Sequence, residues 1–135
     1  MTARKPDPCP CDPRRLYRDC CAPWHGGARV PDAERLMRSR YSAYVLGLSE
    51  YLLGTWHVST RPRSLDLTDA AGIATRWLGL GIKRHVVIDR DHAEVEFVAR
   101  CRVGGQPARR LHERSRFVRE ADTWFYLDGE INPPA

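Results

Sequence analysis

The chain has 135 residues, 42% hydrophobic and 29% charged, with a formal net charge of +5. That size suits one domain with a real core, and the balance excludes a disordered chain, a fibre or a coiled coil. No apolar stretch approaches the ~20 residues a bilayer crossing needs, and no apolar segment follows Met1–Pro6 as a secretory signal requires, so the cytoplasm is the expected compartment and no membrane partner is expected. The charge favours acidic partners at long range but is too small to define a nucleic-acid-binding protein. Arginines are densest over residues 83–119, yet Asp89, Asp91, Glu94, Glu96 and Glu113 intervene. That mixture reads as solvated strand faces rather than a phosphate-binding surface.

Residues 9–25 carry four of the five cysteines, and Gly26-Gly27 offers a hinge out of that segment. Asp32 then caps a helix, with Glu34 near the positive end of its dipole. Met37, Tyr41, Tyr44 and Leu48 follow helical spacing and define one stripe. Gly47 and Ser49 mark a break before a second short helix carrying Tyr51, Leu52, Thr55 and Trp56. Residues 58–66 read as loop. A third helix is predicted over 67–78, burying Ala70, Ile73, Ala74 and Trp77 and ended by Gly79 and Gly81.

The period then changes to two. Ile82–Asp89 reads as a strand ending at Asp89-Arg90-Asp91. Over 92–103, Ala93, Val95, Phe97, Ala99, Cys101 and Val103 alternate with Glu94, Glu96, Arg100 and Arg102, the mark of a half-buried antiparallel strand. Gly104-Gly105 supplies a hairpin turn. Leu111–Arg119 and Thr123–Asp128 give two more strands around Glu120-Ala121-Asp122. The expected class is α+β: an N-terminal zinc knuckle over 1–27, then a 28–135 domain of three helices packed on a curved antiparallel four-stranded sheet.

Cys9 and Cys11, then Cys20 and Cys21 after eight residues, are the residues with the clearest chemistry. An odd cysteine total without an export signal argues against a disulfide framework. Zn²⁺ takes four thiolates in a tetrahedron at ~2.3 Å. A Cys-Pro-Cys turn aims two of them, and a short helical stretch from Arg14 to Asp19 is expected to return the second pair. Four thiolates on Zn²⁺ leave a net −2, which Arg14, Arg15 and Arg18 can offset. His25 is a candidate replacement for Cys21. A fully coordinated ion has no open position for water, so the expected metal is a structural Zn²⁺. Cys101, among apolar neighbours, reads as a buried small hydrophobe.

Cys9-Pro10-Cys11, Tyr17 and Cys20-Cys21 resemble the SEC-C finger, named from the tail of the SecA translocation motor, where it binds zinc and contacts a chaperone and other partners. The family's Gly-Ser-Gly after the second cysteine is here Asp12-Pro13-Arg14. The resemblance extends through Leu36–Tyr44, Thr55-Trp56-His57 with Ser59-Thr60, His112–Phe117 and Trp124–Gly129 to the bacterial YchJ family. It implies a SEC-C finger fused to a SnoaL-like cone, with a partner-docking finger and a cavity between helices and sheet. It implies no particular activity.

Glu113 and Ser115 share a strand face with Leu111 and Phe117, and that less charged face is expected to turn inward. A buried Glu113 needs a partner, and Arg40, beside the apolar stripe, is the expected one. Tyr41, Tyr44, Trp124, Tyr126 and Asp128 complete a candidate polar, aromatic lining, with His57 either capping a helix end or facing the cavity. Three functions are then weighed. One is a zinc-binding adaptor that docks a protein partner through the finger. Another is a small cofactor-free isomerase or hydrolase with a Glu113/Asp128 acid–base pocket. The third is nucleic-acid binding through the finger and the arginine-rich strands.

Overall fold

The computed structural model describes residues 7–67 and 75–133. Strands β1 (Pro8–Cys9) and β2 (Asp12–Leu16) pair antiparallel, and a 3-10 turn over Tyr17–Asp19 leads to the short helix α1 (Ala22–His25). The helical stretch expected from Arg14 is therefore confined to Tyr17–Asp19. Upstream, Leu16 lies opposite Pro8 and the Tyr17 N–H donates to Asp7 O at 3.0 Å, so pairing with β1 wins.

Helix α2 (Ala33–Leu46) starts where its cap predicts. Asp32 is extended and its carboxylate accepts the Arg35 N–H at 2.8 Å. It ends at Gly47, whose φ of 72° is the left-handed conformation glycine adopts without cost. Helix α3 (Ser49–Gly54) follows. The chain then runs along the sheet edge: Trp56 bridges Tyr126 in parallel, the His57 N–H donates to Tyr126 O at 2.7 Å, and the Tyr126 N–H donates to Thr55 O at 2.8 Å.

Four strands, β3 (Thr75–Asp89), β4 (His92–Val103), β5 (Arg109–Glu120) and β6 (Thr123–Ile131), form an antiparallel sheet in sequence order. Ala70, Ile73 and Ala74 of the predicted third helix lie outside the described residues. Thr75–Leu78 is strand, with Trp77 opposite Cys101, and Gly79 and Gly81 sit inside β3. Of the apolar residues that suggested a helix here, Trp77 is the described one, and it belongs to a bulged strand: register shifts at Trp77/Gly79, Ile82/Arg84 and Val87/Asp89 each admit an extra residue and bend the sheet.

The register sorts the sheet into two faces. Trp77, Leu80, Ile82 and His85 lie opposite Cys101, Ala99, Phe97 and Val95. Those continue across to Leu111, Glu113 and Ser115, and then to Gly129. This inner face meets α2. Leu36, Met37 and Tyr41 of α2, Val95 and Phe97 of β4, Phe117 of β5, Trp124 of β6 and the four N-terminal cysteines form one continuous buried set. Helix α2 is accordingly buried on more than one side, at Ala33, Leu36, Ser39, Arg40, Tyr41, Ser42 and Ala43. Among the described residues no helix is long and apolar enough to cross a membrane.

Candidate metal centre and adjoining cavity

Cys9 ends β1 and Cys11 lies in the turn to β2, while Cys20 and Cys21 follow the 3-10 turn, whose Tyr17 carbonyl takes the Cys20 N–H at 3.0 Å. The sulfurs approach to 3.6 Å (Cys9–Cys11), 3.5 Å (Cys11–Cys20), 3.6 Å (Cys11–Cys21) and 4.0 Å (Cys20–Cys21). All four lie within 4.8 Å of one another. A tetrahedral ion with metal–sulfur bonds of ~2.3 Å needs edges of about 3.8 Å, so the observed separations bracket the requirement. Each cysteine is free, and each of the four is buried to 8% exposure or less. The adjacent pair supplies one edge of the tetrahedron without difficulty. Four thiols so placed can hold a metal ion.

The electrostatics of the cluster point the same way. Hydrogen bonding to Cys11 and then Cys21 pulls Cys9 far below the usual thiol range, while Cys11 and then Cys9 push Cys21 far above it. Crowded thiolates cannot all ionise against one another. A divalent cation in their midst removes that conflict.

Helix α2 closes the cluster from the side. Ser42 Oγ lies 3.3 Å from Cys21 Sγ and 3.6 Å from Cys9 Sγ. Arg38, held by Glu34 at 3.2 Å, reaches Cys11 O at 3.5 Å. This is a different cation from those expected: Arg14 pairs with its own Asp12 at 3.1 Å, and Arg18 lies beside Asp19 at 3.8 Å. His25 is not placed as a ligand. Its Nδ1 meets Tyr17 OH at 2.6 Å and its Nε2 meets Ser39 O at 2.8 Å. A carbonyl only accepts, so Nε2 carries the proton and the tyrosine donates to Nδ1. The one-turn spacing of Arg38 and Ser42 was the signal in the sequence, but it names no target without the fold.

The opposite side of α2 faces a cavity of about 210 Å³. Its walls are Met37, Arg40, Tyr41 and Tyr44 of α2 and Trp77, Phe97, Ala99, Leu111, Glu113, Ser115 and Tyr126 of the sheet. Sequence reasoning turned Leu111 inward and put Met37 on the helix stripe but left Phe97, Ala99 and Trp77 out of the lining, Trp77 because it was assigned to a helix. Arg40 does not pair directly with Glu113. Its Nη1 donates to Leu52 O at 2.7 Å and Thr55 Oγ1 at 2.6 Å, and its guanidinium lies 4.6 Å from the centre of the Tyr126 ring. Burial pulls Arg40 below its ordinary range. Glu113 accepts from Tyr126 OH at 3.4 Å and folds over Gly129, where a Cβ would fall 1.9 Å from its Oε1. Only glycine leaves room for that carboxyl. Burial raises the Glu113 pKa, against the pull of the Tyr126 hydroxyl and the Arg40 charge. Ser115, 1% exposed, points an Oγ with no hydrogen-bond partner among the described residues.

Three candidate lining residues lie elsewhere. The register shift between Arg116 and Phe117 makes Leu127 an extra residue in β6. Tyr126 therefore faces inward opposite Phe117, whereas Asp128 emerges opposite Arg116 and takes its Nε–H at 2.6 Å. That bond holds Asp128 below the usual carboxylate range. His57 is engaged by Ser59 Oγ at 2.7 Å and by Glu120. Trp124 is buried in the core with the Arg119 guanidinium 5.5 Å from its ring centre.

Fold and cluster together define an α+β, NTF2-like domain with a cysteine knuckle seated on its long helix. The chain belongs to the YchJ family: residues 32–129 match the family domain described as "YchJ, middle NTF2-like domain". A UPF0225 protein of Polaromonas naphthalenivorans is 59% identical over 112 residues, covering 82% of this chain and 79% of that one. A UPF0225 protein of Methylibium petroleiphilum is 56% identical over 130 residues, 96% of this chain and 92% of that one. The solution structure of a SEC-C motif containing protein from Rhodopseudomonas palustris superposes with a TM-score of 0.76 at 32% identity, covering 91% of this chain and 97% of that one.

Proposed function

We propose that this protein is a zinc-binding adaptor, in which Cys9, Cys11, Cys20 and Cys21 hold a structural Zn²⁺ and the finger over 1–27 docks a protein partner. The observation that carries the reading is the convergence of four buried sulfurs at tetrahedral spacing, closed on one side by Ser42 and Arg38. An ion held by all four protein ligands offers no position to a substrate, so its role is to shape the finger. The finger's outer surface supports the docking half of the proposal: Arg15 is exposed with no ion-pair partner among the described residues, and the exposed Arg14 beside it pairs only with Asp12, a surface suited to an acidic protein segment. Elemental analysis of the purified full chain is expected to give one zinc per chain, and Cys20→Ser to lose it. A metal-free chain with a full complement of reactive thiols removes the proposal. Capture from native lysate, comparing the intact chain with an Arg14→Glu/Arg15→Glu variant, tests docking. An unchanged set of captured proteins overturns that half alone.

A second reading rests on the cavity. A buried carboxyl beside an unpartnered Ser115 hydroxyl supports a small ligand or substrate that brings its own hydrogen-bonding group, with Glu113 as the base of a cofactor-free isomerase or hydrolase. Asp128 has no part in it. Ligand-observed NMR with a fragment library is expected to give hits that Ser115→Ala and Glu113→Gln both weaken. Hits indifferent to both changes count against this reading.

A further inference from the structure

The outer face of the sheet is divided in two. In one half, charges alternate in rows that run across the strands. One row is Arg84, Glu96, Arg114 and Glu130, and the next is Val86, Glu94, Arg116 and Asp128. Each charge there has an opposite charge beside it, with pairing at 3.5 Å for Arg114–Glu96 and bonding between Arg116 and Asp128. His112 adds a 2.9 Å contact to Glu96.

Toward the other end of the same face the pattern stops. Arg100 lies directly opposite Arg110, and Arg76 directly opposite Arg102. All four are exposed, and none has an ion-pair partner among the described residues. Like charges facing each other across a sheet destabilise it. In the first half Arg114 and Arg116 are ion-paired and Arg84 lies opposite Glu96, so the fold has the means to set acids against arginines and does not do so here. An arrangement that costs stability in the free protein and is relieved by a bound polyanion fits a binding surface.

The chemistry of the patch selects the partner. Guanidinium forks grip phosphate bidentately. Protein–protein hot spots need buried apolar or aromatic anchors, and the strand segments that carry these four arginines hold one large exposed hydrophobic residue among the described residues, Leu78. Trp77, next to Arg76, packs against Tyr41 and Tyr44 on the inner face, so among the described residues no aromatic ring lies among the four to stack on a base. We infer that Arg76, Arg100, Arg102 and Arg110 form a docking surface for the phosphate backbone of a nucleic acid, read by charge and not by sequence. This surface is separate from the finger and from the cavity.

The test is fluorescence anisotropy of the full, metal-loaded chain with a fluorescein-labelled duplex of ~20 base pairs, at salt from ~50 to ~200 mM. Neutralising three to four phosphates gives a log K against log salt slope of about −3. Arg100→Gln/Arg110→Gln is expected to flatten that slope by about 2 and to weaken binding roughly tenfold at low salt. Because it removes a repulsion, it leaves the melting temperature equal or higher, so lost binding cannot be ascribed to misfolding. Arg116→Gln, in the balanced half, is expected to leave affinity within about twofold, since its charge is already paired. Three results overturn the inference: no binding at ~50 mM salt, a slope indifferent to the double variant, or polyglutamate binding as tightly as the duplex, which assigns the patch to an acidic protein instead.

Discussion

The two sides of helix α2 serve two differently finished sites. On one side Arg38, Ser39 and Ser42 meet the finger, and the polar groups there are engaged: Ser42 with two sulfurs, Arg38 with Cys11 O and Glu34, and Ser39 O with His25. On the other side Arg40, Tyr41 and Tyr44 meet a cavity where, among the described residues, Ser115 Oγ has no partner and Glu113 has one long hydrogen bond. Burial is comparable, so burial does not tell them apart. What differs is the completeness of the hydrogen bonding. A closed, satisfied cluster suits a permanent ion, whereas an open one leaves donors and acceptors for a ligand that comes and goes.

The strongest way to break this comparison is to remove the ion proposed for the four cysteines. Structural zinc in isolated fingers is worth on the order of 10 kcal/mol of folding free energy. Chelation, or Cys11→Ser, is therefore expected to produce the largest loss of stability in this molecule. Hydrogen exchange is expected to show the amides of Tyr17, Cys20 and His25 losing protection well ahead of those in β4 and β5. If finger and sheet lose protection together, the division at residue 27 is not energetic, and the shared buried set around α2 acts as one unit. Next in size is Arg40→Ala. It takes the strong donor from Leu52 O, leaves the Thr55 hydroxyl with only its bonds to Tyr51 O and Leu52 O, and opens a void beside Tyr126, costing about 3 kcal/mol. A urea midpoint that falls at unchanged slope measures it. A loss below about 1 kcal/mol means that water replaces the guanidinium, and the cavity is then wetter than its walls suggest.

These features were unequally visible in the sequence, for physical reasons. The cysteine spacing was sufficient because ligand type and short-range turn geometry are local. The cap at Asp32, the stop at Gly47 and the alternation over 92–103 were visible on the same grounds. Thr75–Leu78 was misread because apolar residues near two glycines suit a helix end or a bulged strand equally, and only pairing with β4 decides. Asp128 was misplaced by one residue's worth of bulge at Leu127, which reverses every side chain beyond it. Arg40 was correctly sought beside the stripe, but its partner is a carbonyl contributed by α3, and backbone acceptors leave no trace in a pattern of side chains.

Two serines sharpen the contrast on a smaller scale. Ser39 Oγ donates to Leu36 O at 2.8 Å and lies 2.7 Å from Tyr51 OH, so Ser39→Ala leaves a buried phenol short of a partner and costs about 1 kcal/mol. Ser115→Ala removes a buried hydroxyl that has no partner, and is expected to be neutral or to stabilise by up to about 1 kcal/mol. Equal losses in the two variants, compared by denaturant midpoint, would mean that an ordered water already satisfies Ser115.

The last and smallest effect is a pH dependence, and its sign follows from burial. Glu113 is held above the ordinary carboxylate range because its charged form is desolvated in the cavity. The fold therefore favours the protonated acid. The resulting stabilisation is fully present below the unfolded value of about 4.3 and is lost as pH rises through the higher folded value. Glu113→Gln keeps an acceptor for Tyr126 and carries no charge at any pH. The variant is thus expected to melt above the parent at neutral pH and level with it near pH 4. A melting difference that stays constant with pH would mean that the carboxylate is already solvated, and the cavity would then offer a ligand no desolvated acid to meet.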